Sequence, residues 1–175
     1  MLRLRSFLVL VLLTAPGLGT AQDEGLLHLG YLTLAFPALW KFDFAQRPIV
    51  GHGPSGETVL ITVRTRKDEE PADAARGVRD AVTDFVKGSM VEIATQHGMK
   101  LDRPISPVEA PANHVAFSAV SSAKGIFGNK EYFVQYVLGG KRALIYITFE
   151  GKGDTEAAAQ RFDAVISTQK WSDGV

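Results

Sequence analysis

Between Leu26 and Phe44 the chain alternates. Leu32, Leu34 and Phe36 fall on one side and Tyr31, Thr33 and Ala35 on the other; Trp40, Phe42 and Phe44 then alternate with Lys41 and Asp43. A period of two is the signature of a strand, and proline is poorly tolerated inside a central strand. The spacing predicts two strands meeting around Pro37–Ala38 as an N-terminal hairpin. A polar, glycine-rich loop from Gly51 to Gly56 leads into a third strand over Thr58–Arg66, with Val59, Ile61 and Val63 on one face and Leu60 on the other.

The period then lengthens. From Pro71, a residue suited to a first helical turn, to His97, the residues Ala75, Val78, Val82, Phe85, Val86, Met90, Ile93 and Ala94 recur at three and four. That spacing predicts one long amphipathic helix, with Gly98 as its left-handed cap. Leu101 to Ala112 is punctuated by prolines and reads as a short edge strand or a loop. Three strands follow over His114–Ser121, Glu131–Leu138 and Lys141–Phe149, the last two joined by Gly139-Gly140, a pair suited to a tight hairpin. A final helix starts at Asp154, a good N-cap, and carries Ala158, Ala159, Phe162, Val165 and Ile166 on one stripe before ending near Lys170–Trp171.

The late strands are apolar on both faces. Ala143, Ile145, Ile147 and Phe149 are backed by Leu144 and Tyr146, and Tyr132, Val134 and Tyr136 by Phe133 and Val137. A sheet with one wet face would alternate more cleanly. The expectation is therefore an α+β fold, an antiparallel sheet with an N-terminal hairpin, covered by the long helix on one face and the C-terminal helix on the other: an α/β/α sandwich.

The first 21 residues differ from the rest. Arg3 and Arg5 precede an apolar run from Phe7 to Leu13, then Pro16, Gly17 and the small residues Gly19, Thr20 and Ala21. Basic, apolar and small in that order is the pattern of a secretory signal peptide, with cleavage after Ala21. The run is about half the roughly 20 residues that a bilayer span needs. Residues 22–175 hold no repeat or dividing linker and read as one domain. Removing residues 1–21 takes Arg3 and Arg5 and no acid from 19 basic and 19 acidic groups, leaving a formal charge of −2. Near-neutral, interspersed charge offers no basic field for nucleic acid or anionic lipid. Without cysteine the chain has no disulfide, thiol nucleophile, thiolate metal site or lipidated N-terminal cysteine.

Two motifs match famous chemistry in letters only. Gly51-x-Gly53-x-x-Gly56 spells the dinucleotide fingerprint, whose glycines must open a helix onto a pyrophosphate. Here a β-branched strand follows and Pro54 removes an amide, so the reading is a turn. Ser121-x-x-Lys124 spells the serine–lysine pair of penicillin-interacting enzymes, which needs a helix start and companion motifs; neither is present. His28, His52, His97 and His114 show no ligand spacing, so no metal or cofactor is expected. In Lys124-Gly-Ile-Phe-Gly-Asn129, Ile126 and Phe127 lie between glycines in an expected hairpin loop, where binding residues concentrate. They are the candidate binding residues, inserting into a partner or a membrane surface, against the plainer reading that Phe127 folds back over the sheet edge.

The order of elements carries a family resemblance. A hairpin with Phe36-Pro37 and Trp40, a strand, a long helix and three strands lead into Ile147-Thr148-Phe149-Glu150-Gly151, then a closing helix with Arg161-Phe162. This resembles the PsbP-like α/β/α sandwich, in particular its bacterial envelope members, the DcrB-like proteins. The resemblance implies a central antiparallel sheet between helices and a role in binding, since such proteins act as accessory subunits or partners and share no catalytic constellation. The expectation is a periplasmic or secreted accessory protein that binds a protein or envelope component and is not an enzyme. It would not bind nucleic acid or stay inserted in a membrane after signal cleavage. A small-molecule or lipid carrier, with Tyr31, Phe36 and Trp40 enclosing an apolar pocket, and an envelope hydrolase are the alternatives.

Overall fold

A computed structural model describes residues 22–23, 25–65, 90–125 and 128–172, with 80, 82, 83 and 88 as isolated positions. The proposed signal segment, most of the long-helix reading over 71–97, and both Ile126 and Phe127 lie outside the described residues.

Seven antiparallel strands form the main sheet: β4 (Lys41–Asp43), β5 (Ile49–His52), β6 (Thr58–Thr65), β7 (Lys100–Pro107), β8 (Val115–Lys124), β9 (Lys130–Gly139) and β10 (Ala143–Lys152), in the order β4-β5-β6-β10-β9-β8-β7. A second sheet joins β1 (Gln22–Asp23), β2 (Leu26–His28), β3 (Leu32–Ala35) and β11 (Lys170–Trp171) in that order. Helix α1 spans Val91–Gln96 and α2 spans Thr155–Ile166.

The two apolar faces of the late strands are both used. On one face, Val134, Tyr136, Leu138, Ile145, Ile147 and Phe149 pack with the small sheet and with Ala158, Ala159, Phe162, Val165 and Ile166 of α2. The centre of this cluster is aromatic: Phe149 stacks on Phe162 at 3.9 Å, and Trp40 meets Phe36 edge-on at 5.3 Å. On the other face, Val82 and Met90 pack on Ala119 and Val137, with Leu144 and Tyr146 partly covered. This is the expected α+β sandwich, covered on both sides.

Local signals hold at the helix ends. Asp154 caps α2, its carboxylate accepting from Glu156 N at 2.9 Å and Ala157 N at 3.1 Å, a contribution of about 1 kcal/mol. Gly98 ends α1 at φ +67, with Gly98 N donating to Thr95 O and Met99 N to Ala94 O. These two bonds satisfy carbonyls that the helix end would leave bare. The closing helix stops at Ile166 and the chain continues as β11, pairing with β3 through Lys170↔Thr33.

Three turns differ from expectation. The N-terminal hairpin turns at Gly30, whose φ of +72 and the Leu29 N to Leu32 O bond at 2.7 Å close β2 onto β3. Pro37 instead begins the crossover from the small sheet to β4, through Leu39, which is 76% exposed at φ +78. Gly51 and His52 belong to a strand, β5, paired with β4 and β6, and glycine is needed at 51 because a Cβ there would lie 2.6 Å from Phe42 and Val59. The β9–β10 hairpin turns on Lys141-Arg142, with Gly140 N donating to Ala143 O at 2.9 Å, and neither Gly139 nor Gly140 has positive φ.

Candidate functional site

Strands β8, β9 and β10 are ten residues each, about twice the usual length, and at one end of the sheet they outrun the apolar layers. Register orders that end into rows. Thr58, Glu150, Phe133, Ser121 and Leu101 lie side by side. The next row is Gly151, Tyr132, Ser122 and Lys100, then Lys152, Glu131 and Ala123, and last Lys130 opposite Lys124. Successive rows alternate faces. Tyr132, in the aromatic cluster, fixes its row and that of Lys124 and Lys130 on the α2 side; Glu150 and Glu131 face the α1 side.

A cleft of about 640 Å³ opens at this end, lined among others by Glu57, Met99, Tyr132, Glu150, Lys152 and Arg161. Glu57 is only 8% exposed. Its carboxylate accepts from Ser55 N at 3.0 Å and lies 3.5 Å from Arg161 Nη2 on α2. Gly53 sits against that carboxylate and the Trp40 ring, each 2.8 Å from where a Cβ would be, and Gly56 turns the loop at φ +86. The Gly51-x-Gly53-x-x-Gly56 spacing thus serves aromatic packing and a turn before β6, as its strand context requires. Lys152 Nζ lies 3.5 Å from Glu131 Oε1 at the rim.

Two polar groups of the cleft are poorly paired among the described residues. The Tyr132 hydroxyl, on a residue 1% exposed, has no well-formed hydrogen bond among the described residues, although the Arg161 guanidinium approaches it, and it lies against Gly151, where a Cβ would overlap it. Burial pushes the Tyr132 phenol up, the Glu57 carboxylate adds to this, and Arg161 opposes both. Glu150 is half-buried; burial raises its pKa against a smaller opposing effect of His97, and no ion pair holds it among the described residues. A buried polar group left unpaired costs free energy, and a ligand able to pair it recovers that cost.

Beside this cleft, a recess of about 450 Å³ is lined by Gly98, Lys100, Asp102, Ser122, Lys124 and Lys130, with Gly128 at its edge. Behind it, Tyr136 Oη donates to Asp163 at 2.6 Å, and Arg103 bridges Asp163 at 3.2 Å and Glu156 at 2.7 Å, fastening β7 and β9 to α2.

The β8–β9 loop projects from the same end. Gly125 N donates to Asn129 O at 2.6 Å and Gly128 N to Gly125 O at 2.9 Å, tying the described ends of the loop together. Of the serine–lysine pair, Ser121 is fully buried and Lys124 exposed; three apart on a strand, they face opposite sides. The histidines stay separate: His28 bonds Thr33 Oγ1 at 2.9 Å, His114 stacks on Trp171 at 4.6 Å, His97 meets Phe133 at 5.1 Å, and His52 is exposed on β5. Among the described residues no three metal-ligating side chains converge. Phe36 and Trp40, expected around an apolar pocket, pack into the aromatic cluster. Sequence reasoning missed Glu57, Tyr132, Glu150 and Arg161, whose assembly depends on contacts across most of the chain.

No family model and no curated protein matches the chain. Its fold is similar to the solution structure of cyanobacterial PsbP (CyanoP) from Synechocystis sp. PCC 6803, with a TM-score of 0.55 at 12% identity over 90% of this chain and 97% of that one. It is also similar to a 1.50 Å crystal structure from Bacteroides thetaiotaomicron VPI-5482, with a TM-score of 0.52 at 10% identity over 82% of this chain. The chain spans 46% of the Bacteroides protein's length. At such identities the likeness concerns the fold, which is PsbP-like.

Proposed function

We propose that this is an exported accessory protein of the cell envelope, similar to the DcrB-like proteins. In this reading residues 1–21 are removed as a signal peptide and residues 22–175 form one domain that works in the periplasm or outside the cell. It binds a protein or envelope component with the long-strand end of the main sheet and performs no chemistry. The observation that carries the reading is the gathering of both recesses, the poorly paired Tyr132 hydroxyl and the β8–β9 loop at that one end. Loops held on a rigid scaffold are where binding residues concentrate, and Ile126 and Phe127 are the proposed apolar contact. Cross-linking of mature protein in its host's envelope fraction, followed by mass spectrometry, tests this. I126S/F127S should lose the wild-type adducts while keeping the wild-type melting temperature. Equal adducts from both proteins would overturn the contact.

Hydrolysis of an envelope polymer is a second reading with one observation in its favour. Glu131 and Glu150 line the same cleft on one face of β9 and β10, and burial raises the pKa of Glu150, as a general acid requires. Against it, Glu131 is ion-paired to Lys152. Polymer turnover that disappears in Glu150→Gln would favour this reading.

A further inference from the structure

Lys100, Lys124 and Lys130 are 24 and 6 residues apart in the chain, yet register sets them in one stripe across β7, β8 and β9. Lys124 is directly opposite Lys130, and Lys100 is directly opposite Ser122, two residues before Lys124 on the same face. Directly opposed residues have Cβ atoms about 5 Å apart and diagonal ones about 7–8 Å, so three ammonium groups share one small area. Like charges directly opposite are destabilising. Asp102 offsets one of them, 3.2 Å from Lys130 Nζ. Lys100 and Lys124 have no carboxylate partner among the described residues. Arg103, the next cation along β7, is already held by Glu156 and Asp163; of the neighbouring cleft's carboxylates, Glu131 and Glu150 lie on the opposite face and Glu57 is engaged by Ser55 N and Arg161.

We infer that Lys100, Lys124 and Lys130, with Ser122 at the floor of their recess, form a site for a phosphate group. The recess is concave, about 450 Å³, and Ser122 is 7% exposed, so an anion seated there is partly withdrawn from water. Lysines supply point charges on flexible stems that converge on a tetrahedral anion from several directions, whereas a planar carboxylate is better matched by the arginine fork. The chain's near-neutral balance conceals this local excess. The inference rests on the reading of this end as the binding end and names the chemistry of what it holds: a phosphate carried by a lipid headgroup or by a small soluble molecule.

The test uses mature protein, inorganic phosphate, and vesicles of phosphatidylglycerol or of phosphatidylcholine alone. Phosphate should shift the backbone amide resonances of Lys100, Ser122 and Lys124, and K100Q and K124Q should each weaken binding about fivefold, the size of one basic residue at an anionic surface. Retention on phosphatidylglycerol but not phosphatidylcholine vesicles, lost in K100Q/K124Q and at high salt, assigns the phosphate to a lipid headgroup. Phosphate shifts without vesicle retention assign it to a soluble ligand. No binding of either probe, or binding unchanged in K100Q/K124Q, overturns the site. All three lysines are exposed, so the variants should fold, and relieving the Lys124–Lys130 repulsion should leave the melting temperature equal or higher. I126S/F127S keeps every lysine; phosphate binding there with partner adducts lost separates this site from the contact proposed above.

Discussion

The middle of the main sheet and its long-strand end are built from the same three strands and follow opposite rules. In the middle, Ile145 pairs with Leu138 and Val63, and Ile147 with Tyr136 and Ile61, each row passing its side chains into a packed layer. The flanking rows turn to the other face, where Leu144, Tyr146 and Val137 meet Val82 and Met90. At the end, polar groups enter the rows and are poorly matched: among the described residues Glu150 is in no ion pair, the buried Tyr132 hydroxyl has no well-formed hydrogen bond, and Lys124 faces Lys130. Stability alone would shorten these strands or make their last rows neutral. Strands continued past the core, with polar groups left unpaired, are what a binding surface requires, because groups satisfied within the fold have nothing left to offer a ligand.

The contrast is broken most forcefully in the middle. Phe162 is 3% exposed, stacks on Phe149 and lies near Trp40 and Tyr132. Phe162→Ala should therefore cost about 3–5 kcal/mol, the usual loss for a core phenylalanine, read as a fall in the urea midpoint at unchanged slope. It also removes the ring under the Arg161 guanidinium, 5.9 Å from its centroid, so the cleft should loosen with the core. A loss below about 1 kcal/mol would mean that the aromatic layer is not where stability concentrates.

The boundary between the regions falls at Gly151. A Cβ there would overlap the Tyr132 hydroxyl and ring, and Tyr132 is too buried to swing aside. Gly151→Ala should cost about 1–3 kcal/mol, as overpacking does. Tyr132→Phe removes a buried hydroxyl with no well-formed hydrogen bond among the described residues and should be neutral or stabilising, and it should recover part of the loss in the double variant, a non-additivity that thermal melts can measure. A neutral Gly151→Ala would place the boundary one row nearer the core.

What was legible in the sequence divides along the same line. The alternation of Ile145, Ile147 and Phe149, the stripe from Ala158 to Ile166 and the Asp154 cap are patterns within one element, and the structure uses them as read. The N-terminal hairpin was misplaced because Pro37 breaks strands more loudly than Gly30 turns them, and only pairing with β11 shows that β3 and β4 belong to different sheets. β5 was hidden because the glycine that lets Phe42 and Val59 close over it looks like a loop residue. Nothing of the cleft was legible. Glu57, in the loop before β6, meets Arg161 of α2 from a distant part of the chain, and the three lysines meet through the strand register of β7, β8 and β9. Such sites are products of topology and carry no local period.

The smallest expected effect lies at Glu150, and its sign is set by burial. Its pKa is raised in the folded protein, so between the ordinary carboxyl range and that raised value the folded state binds more protons than the unfolded chain. Stability should then be fully favoured below the unfolded pKa and fall as pH rises through the folded one. Glu150 is only partly buried, so water screens the effect and the slope should be shallow. Glu150→Gln holds the neutral form at every pH and should flatten this part of the profile, raising stability slightly at pH 7 and leaving it unchanged near pH 4. Urea midpoints from pH 4 to 8 for both proteins decide the matter. A wild-type profile that rises over this window because of Glu150 would mean that the carboxylate has found a counter-charge, and the end of the sheet would then obey the same rule as its middle.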